Sequence, residues 1–312
     1  MILAEDLTKK FDQFTAVNGV NLNVPAGRVL VLLGPNGAGK TTTVRMLTSI
    51  LRPTRGRAVV AGFDVVKEPQ KVRESVGVLT EHHGLYNRMS AQEYLEFYGR
   101  LYNMDPATRR HRTDALLEEF GLTGDKKRRL GEFSKGMRQK LALVRALMNE
   151  PPVLLLDEPT SAMDPESARV VRDGIHQLRS ASRSIILCTH NLLEAEELAD
   201  QIAIIRRGRI ILSGSPRELK QKLLGATEFE VRFNAGIDGR QLGLPVGVEL
   251  TTRGEDWMRF RVESPNKQNP ELIQNLVKTG IGILSFSEVQ RSLESAYLEA
   301  MRVASTEGEN GG

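Results

Sequence analysis

Nine consecutive residues between two apolar segments have the composition and spacing of a phosphate-binding loop. The pattern G-x-x-x-x-G-K-[ST] follows "RVLVLLG" and precedes "TVRMLTSIL", which indicates a strand, a loop and a helix in that order. Glycines let the backbone curl so that several N–H groups point at one anion, and the helix adds its positive end. The Lys40 side chain is expected to reach the β- and γ-phosphates of a nucleotide, and the Thr41 hydroxyl to ligate Mg²⁺. The predicted nucleotide-binding residues are Gly34, Pro35, Asn36, Gly37, Ala38, Gly39, Lys40, Thr41 and Thr42.

An acidic pair follows a second apolar run, in "PPVLLLDEPTSAMD". The run predicts a buried strand of a parallel sheet, and ligands of open α/β sheets bind where such strands end. Asp157 suits a direct or indirect Mg²⁺ ligand, and Glu158 suits a general base or a water-positioning group. An ordinary helix-capping acid is the alternative, and the phosphate loop upstream argues against it.

A third apolar run, "SRSIILCTHN", ends in a histidine. His190 is expected at the same sheet edge as Lys40 and Asp157, where it would contact the γ-phosphate. Cys188 lies within the run and is interpreted as an inert core thiol.

The chain as a whole has 312 residues, 40% hydrophobic content and a net charge of +4. Its apolar runs are far shorter than the roughly 20 residues of a membrane-spanning helix, so no such helix is expected. One cysteine cannot form an internal disulfide, and the sequence opens without a secretory leader, which favours a reducing cytoplasm. The modest positive charge does not choose between nucleic acid, an anionic membrane face and no charged partner.

Taken together, the phosphate loop, "LLLDEPTSAMD", the histidine beyond it and "FSKGMRQKLALVRAL" resemble the nucleotide-binding subunit of an ATP-binding cassette (ABC) transporter. The resemblance covers residues 1 to about 215 with the motifs in the family's order. It implies an α/β fold, the P-loop NTPase ABC cassette, with a mostly parallel core sheet, an antiparallel β part and a helical subdomain. It also implies an ATPase that uses ATP and Mg²⁺ and that needs no nucleic acid.

The segment "FSKGM" takes the place of the family's L-S-G-G-Q signature. Ser134 is a good helix N-cap, and Gly136 allows close approach of a backbone or an anion. By resemblance, that anion is the γ-phosphate of ATP held by a second copy, so that a homodimer encloses two nucleotides. Lys135 and Met137 depart from the family's glycine and glutamine.

The resemblance assigns further residues to the nucleotide. Phe11 matches an aromatic that stacks on adenine, with Phe14 a second candidate and a core phenylalanine the alternative. Asp164 matches the loop that crosses the dimer interface, where Met163 replaces a leucine.

The segment "LTEHHGLY" combines a glutamate with two histidines and could be a metal site. Neighbouring residues of an extended chain point apart, which argues against both His82 and His83 binding one metal. By resemblance, Glu81 takes the place of a glutamine that contacts Mg²⁺ and the attacking water. The segment is interpreted as a hinge between the ATP core and the helical subdomain.

The predicted organisation is an ABC domain over residues 1–222, with its helical subdomain at about 85–150. Residues 223–303 show period-two strand patterns and helices, which predict an accessory α+β domain, and residues 304–312 predict a disordered tail. The end of the accessory domain resembles ATPase subunits of ABC-2 type exporters, including drug-resistance, polysaccharide and lipid systems. A separate transmembrane permease and a peripheral location on the cytoplasmic membrane face follow from this resemblance.

Two other classes compete with this interpretation. Soluble ABC ATPases of translation usually carry two cassettes, and those of DNA repair insert long coiled coils between the phosphate loop and the acidic strand; this chain shows neither. Other P-loop kinases and GTPases lack the Ser134-x-Gly136 signature. The transported substrate is not predicted from this chain.

Overall fold

The computed structural model describes residues 1–80, 84–161, 163–179, 182–234, 242–278, 280–289, 292–298 and 300–301. The chain forms two compact units, Met1–Pro216 and Arg217–Gly312. A search of the helices in these described ranges finds none with the length and apolar character needed to span a membrane. The sequence-based boundary near residue 222 remains a prediction.

An antiparallel sheet begins the first unit. Its strand order is β2-β1-β4-β5, and its members are β1 (Ile2–Phe11), β2 (Phe14–Val24), β4 (Arg55–Val60) and β5 (Phe63–Asp64). Alternate residues of β1 and β2 are buried, as expected for strands with one face on a core. This sheet therefore packs its inward side chains into the main hydrophobic core.

A six-stranded sheet forms the centre of the first unit. Its order is β10-β9-β3-β8-β7-β6, with β10 antiparallel and the other neighbours parallel. The strands are β3 (Val29–Leu33), β6 (Val76–Leu79), β7 (Val153–Asp157), β8 (Ser184–Thr189), β9 (Gln201–Arg206) and β10 (Arg209–Gly214). Every residue of β3, β7 and β8 is buried, because helices and the antiparallel sheet cover both faces. The register aligns Leu33 with Thr189 and Asp157 with Cys188, so three strands end side by side.

Helices connect the parallel strands and form the helical part of this unit. They are α1 (Lys40–Leu47), α2 (Pro69–Glu74), α3 (Ala91–Leu101), α4 (Pro106–Glu119), α5 (Lys135–Leu147), α6 (Pro165–Gln177) and α7 (Leu192–Leu198). A reciprocal capping box between Ser90 and Glu93 starts α3. The apolar residues spaced along α5, including Leu141, Val144 and Leu147, are buried, as the sequence pattern predicts.

The second unit contains a four-stranded antiparallel sheet of order β12-β13-β11-β14. Its elements are α8 (Pro216–Leu224), which begins at the unit boundary, β11 (Thr227–Phe233), β12 (Val248–Arg253), β13 (Trp257–Val262), α9 (Pro265–Val277) and β14 (Ile283–Glu288). Alternate residues of β11 and β13 are buried, as their period-two pattern predicts. They are Phe229, Val231, Phe233, Met258, Phe260 and Val262. Pro265 takes the first position of helix α9, where the missing N–H of proline costs no hydrogen bond. The predicted α/β fold, with a mostly parallel core sheet, an antiparallel β part and a smaller α+β part, is confirmed.

Candidate active site

The phosphate loop connects β3 to α1 and keeps a shape that excludes most side chains. Gly37 and Gly39 have φ values of 77° and 110°, in the left-handed region that favours glycine. A Cβ atom on Gly34 would lie 2.4 Å from the backbone oxygen of Ile205, and one on Gly39 would lie 2.7 Å from that of Ala16. Glycine is therefore needed at residue 34 for steric reasons, at residue 37 for conformational reasons and at residue 39 for both.

Lys40 lies within this loop and is only 6% exposed. Its Nζ atom donates to the carbonyl oxygens of Gly34 at 2.6 Å and Pro35 at 3.3 Å, and lies 3.5 Å from Glu158 Oε1. The ammonium group is thus held at the centre of the site by oxygen acceptors, with its charge balanced by a carboxylate.

Thr41 and Asp157 meet although 116 residues separate them in the chain. The Thr41 hydroxyl donates to Asp157 Oδ2 at 2.8 Å, and Asp157 is 2% exposed. Hydroxyl and carboxylate oxygens are the hard ligands that Mg²⁺ binds. This pair therefore has the donor chemistry of a magnesium site.

Glu158 has a backbone φ of 50°, which is uncommon for a residue with a side chain. Its N–H donates to the carbonyl of Cys188 at 2.8 Å, which ties this turn to β8. Its Oε1 lies 2.9 Å from His190 Nδ1, and its Oε2 accepts from the Thr189 hydroxyl at 3.4 Å. The strained backbone thus directs the carboxylate towards Lys40 and His190.

An open cleft of about 540 Å³ lies above these residues. The described residues that line it include Ala16, Ser161 and every residue from Pro35 to Thr42, together with Asp157, Glu158 and His190. Phe14 lines the cleft and is 65% exposed. Phe11 is 44% exposed, lies 5.1 Å from Lys9 Nζ, and is outside the described lining of the cleft.

Ser134 and Asp164 each start a helix. Ser134 Oγ accepts from the backbone N–H of Met137 at 3.2 Å, and Asp164 Oδ1 accepts from that of Ser167 at 2.9 Å. The Ser167 N–H holds the pKa of Asp164 below its ordinary value. The described residues that line the cleft do not include Ser134, Gly136 or Asp164. Within one chain, these residues therefore do not line the cleft at the phosphate loop.

Three polar residues near Glu158 were not identified from the sequence. Gln139 of α5 is 5% exposed, and its Nε2 donates to the carbonyls of Glu158 at 3.0 Å and Pro159 at 2.9 Å. Thr160 donates to the buried carboxyl of Glu194 at 2.9 Å. Gln139 and Glu194 are isolated polar residues within helical patterns, and Thr160 is a turn residue. Such residues resemble surface residues, so composition alone did not indicate them.

The residues of the proposed hinge, Glu81, His82 and His83, lie outside the described residues. Their roles remain those given by the sequence.

The chain is similar to several known proteins. A family profile described as "ABC transporter" matches residues 17–161, and one described as "ATP-binding protein DrrA1-3-like, C-terminal domain" matches residues 214–301. The daunorubicin/doxorubicin resistance ATP-binding protein DrrA of Streptomyces peucetius is 37% identical over 94% of this chain and 89% of its own length. The ABC transporter ATP-binding protein NatA of Bacillus subtilis is 40% identical over 70% of this chain and 91% of its own. A solved structure titled "Structure of ATP binding subunit of ABC transporter" has a TM-score of 0.67 and 28% identity, covering 72% of this chain and 94% of that one.

The fold and the site define an ATPase with a phosphate loop, an acidic strand end and an ABC-type signature helix. The chain belongs to the family of ABC transporter ATP-binding proteins. The predictions of an ATP-binding ATPase and of a transport function, rather than one in translation or repair, are confirmed.

Proposed function

We propose that this chain is the ATPase subunit of an ABC-2 type exporter that confers resistance to a toxic compound. Similarity to a drug-resistance ATP-binding protein over 94% of the chain carries this proposal. The match of residues 214–301 to the DrrA1-3-like C-terminal domain supports it, because the cassette alone is common to importers and exporters. The chain would work at the cytoplasmic face of the membrane with a separate permease.

In the proposed site, Lys40 and the loop N–H groups hold the β- and γ-phosphates of ATP. Thr41 and Asp157 would hold Mg²⁺, with Glu81 a further candidate ligand from the sequence. Bound Mg²⁺ would offset the negative charge of the phosphates. Phe14 lines the cleft and Phe11 matches the family position, so either ring is a candidate for stacking on adenine.

Hydrolysis in this proposal starts from the Glu158 carboxylate. Glu158 takes a proton from a water molecule while the water oxygen attacks the γ-phosphorus, the bond to the β-phosphate oxygen breaks, and ADP leaves. His190, whose Nδ1 lies 2.9 Å from Glu158, orients the carboxylate and contacts the γ-phosphate.

A homodimer would complete the site. The described lining of the cleft does not include Ser134, Gly136 or Asp164 of the same chain, as expected if they act on the nucleotide of a second copy. The N-terminal end of α5, which Ser134 caps, carries the positive end of the helix dipole and is suited to an anion.

Replacement of Glu158 by glutamine tests both the ATPase mechanism and the dimer. Glu158→Gln should bind ATP but hydrolyse it roughly a hundredfold more slowly, so the variant should accumulate as an ATP-bound dimer in light scattering. Glu197→Gln is the matched control, because Glu197 is exposed on α7 and pairs with Arg172 rather than with the site. A Glu158→Gln variant that stays monomeric at saturating ATP with wild-type turnover would show that the assignment is wrong.

Export can be tested separately if a neighbouring reading frame encodes a membrane protein that lacks a cassette of its own. Co-expression of the two in drug-sensitive bacteria should lower accumulation of a fluorescent anthracycline, and Glu158→Gln should abolish the effect. Equal accumulation with both variants, despite measurable ATPase activity of the wild type, would refute the export of such compounds.

A further inference from the structure

A buried amide ties helix α5, which follows the signature segment, to the turn that carries Glu158. Gln139 is 5% exposed and belongs to α5, whose N-cap is Ser134. A buried amide group has to find hydrogen-bond partners within the protein. Its Nε2 atom donates to the carbonyl oxygens of Glu158 at 3.0 Å and Pro159 at 2.9 Å. One side chain of α5 therefore holds two successive carbonyls at the hydrolytic residue.

The backbone of Glu158 is held on both sides of its Cα atom. Its φ of 50° is uncommon for a residue with a side chain, and such conformations persist where the surrounding structure fixes them. The N–H before the Cα atom donates to the carbonyl of Cys188 in β8, and the carbonyl after it accepts from Gln139. That carbonyl also accepts from the N–H of Ser161 at 3.2 Å, but this bond lies within the turn and moves with it. Strand β8 and helix α5 therefore fix this conformation from outside the turn.

This conformation decides where the Glu158 carboxylate lies. Its Oε1 atom lies 2.9 Å from His190 Nδ1 and 3.5 Å from Lys40 Nζ. A change in φ would swing the side chain and the carbonyl together, because both follow rotation about the N–Cα bond. Hydrogen-bonded N···O distances span only about 0.5 Å, so a bond that holds the carbonyl also limits the movement of the carboxylate.

The same helix begins at the signature segment. In the proposed homodimer, Ser134 and Gly136 act on the nucleotide that the second copy holds. Ser134 and Gln139 are five residues apart, which is about 7.5 Å along a helix axis. The apolar side chains of α5 are buried, so the helix moves as one piece. A shift of its N-terminal end towards the second copy's nucleotide would therefore move the Gln139 amide as well.

We propose that Gln139 is a positioning residue that transmits occupancy of the signature segment to Glu158 of the same chain. ATP held by one copy then promotes hydrolysis at the phosphate loop of the other. Gln139 acts on the backbone of Glu158 rather than on the nucleotide. This inference rests on the proposed homodimer and on the proposed role of Glu158 in activating water.

The first measurement replaces the amide by a thioether of similar length. Gln139→Met should lower kcat about tenfold, because two hydrogen bonds that hold the Glu158 turn are lost. The Kd of a fluorescent ATP analogue should stay within about twofold, since the phosphate loop is unchanged. Gln70→Met is the matched control, because Gln70 is exposed on α2 and donates to Glu74. Both kcat and Kd of the control should equal those of the wild type.

Mixed dimers separate an effect on Glu158 from a general weakening of α5. Two copies with different affinity tags are co-expressed and purified together, with Glu158→Gln in one of them, so that one site hydrolyses ATP. Gln139→Met should slow the single-turnover rate about tenfold when it lies in the chain with intact Glu158. In the Glu158→Gln chain, which supplies only its signature segment to the working site, it should change that rate by less than about twofold.

The same dimers test the transmission step. Ser134→Ala in the chain with intact Glu158 weakens the contact with the nucleotide of the inactive site, so it should slow hydrolysis at the working site about fivefold. In a chain that already carries Gln139→Met, Ser134→Ala should change the rate by less than about twofold, because both substitutions act along one route. The measurement with Ser134→Ala alone does not depend on folding of the Gln139→Met protein.

Four results would overturn the proposal while the wild type hydrolyses ATP as a dimer. They are an unchanged kcat in Gln139→Met, equal slowing from the two placements of Gln139→Met, no slowing at the working site from Ser134→Ala, and effects of the two substitutions that multiply. An inactive wild type, a wild type that stays monomeric with ATP, or a fully active Glu158→Gln variant would instead refute the proposed function on which the inference rests.

Discussion

Alanine at position 34 would test how tightly the phosphate loop is packed against β9. The added Cβ atom would lie 2.4 Å from the backbone oxygen of Ile205 and 2.9 Å from its Cγ2 atom. Ordinary van der Waals contact begins at 3.4 Å, and the nearer obstacle is backbone within a buried strand. The loop therefore has to move by about 1 Å, because a packed sheet yields little.

This displacement should affect stability and nucleotide binding together. Inserting a methyl group into a packed site costs about 1–3 kcal/mol in the free energy of unfolding, or about 2–4 °C in Tm for each kcal/mol. Moving the loop N–H groups away from the phosphates should remove one charge-assisted hydrogen bond of about 1.5–3 kcal/mol. That loss corresponds to roughly ten- to hundredfold weaker ATP binding.

The assay is a urea unfolding curve and a fluorescent ATP-analogue titration of Gly34→Ala beside Gly62→Ala. Gly62 has a φ of 89°, and no atom among the described residues would lie within 4 Å of an added Cβ. The free energy of unfolding of Gly62→Ala should therefore fall only by the conformational cost of a side chain at positive φ, about 1–2 kcal/mol. The variant should keep its ATP affinity. Wild-type affinity and wild-type stability in Gly34→Ala would refute the reasoning.

Three further predictions concern buried groups. Gln139→Leu removes the donor that serves the carbonyls of Glu158 and Pro159, so urea unfolding should show a loss of about 1–3 kcal/mol and kcat should fall; an unchanged kcat would mean that this amide does not position the loop. Burial raises the pKa of the Cys188 thiol, so a disulfide reagent at neutral pH should label the unfolded chain and not the native one; rapid native labelling would contradict this. Burial also raises the pKa of Glu194, so the native state keeps its proton at a higher pH than the unfolded state, and stability falls as pH rises between the two pKa values. Glu194→Gln should therefore lose less stability than the wild type as pH rises above the ordinary pKa of glutamate, and equal slopes in urea unfolding would contradict the assignment.

Much of the cassette could be predicted because its features are local in the chain. The phosphate loop is contiguous, and its glycines specify a backbone shape that few other residues can adopt. Short apolar runs in the sequence predict the buried strands. Ser134 forms the N-cap that its position before an apolar helix predicts. The contact between Thr41 and Asp157 was also foreseeable, since parallel strands end at one sheet edge.

The adenine-stacking candidates show where this reasoning stops. Phe11 and Phe14 flank one tight turn between β1 and β2, so the sequence places both near the loop. The two residues pair directly across the hairpin and so lie on the same face of its sheet. Which ring lines the cleft therefore depends on the path of the hairpin past the loop, which no local sequence pattern specifies, and the structure places Phe14 there.

The sequence by itself determined the class of this protein, since nine residues of loop, an acid pair and a signature segment are each recognisable from adjacent positions. Tertiary structure alone decided which polar residues support Glu158. Four polar residues from different parts of the chain meet only when the strands and helices pack. They are Gln139, Thr160, Thr189 and Glu194. The physical reason is that burial and hydrogen-bond partners, which turn an ordinary polar residue into a positioning group, depend on contacts between distant parts of the chain.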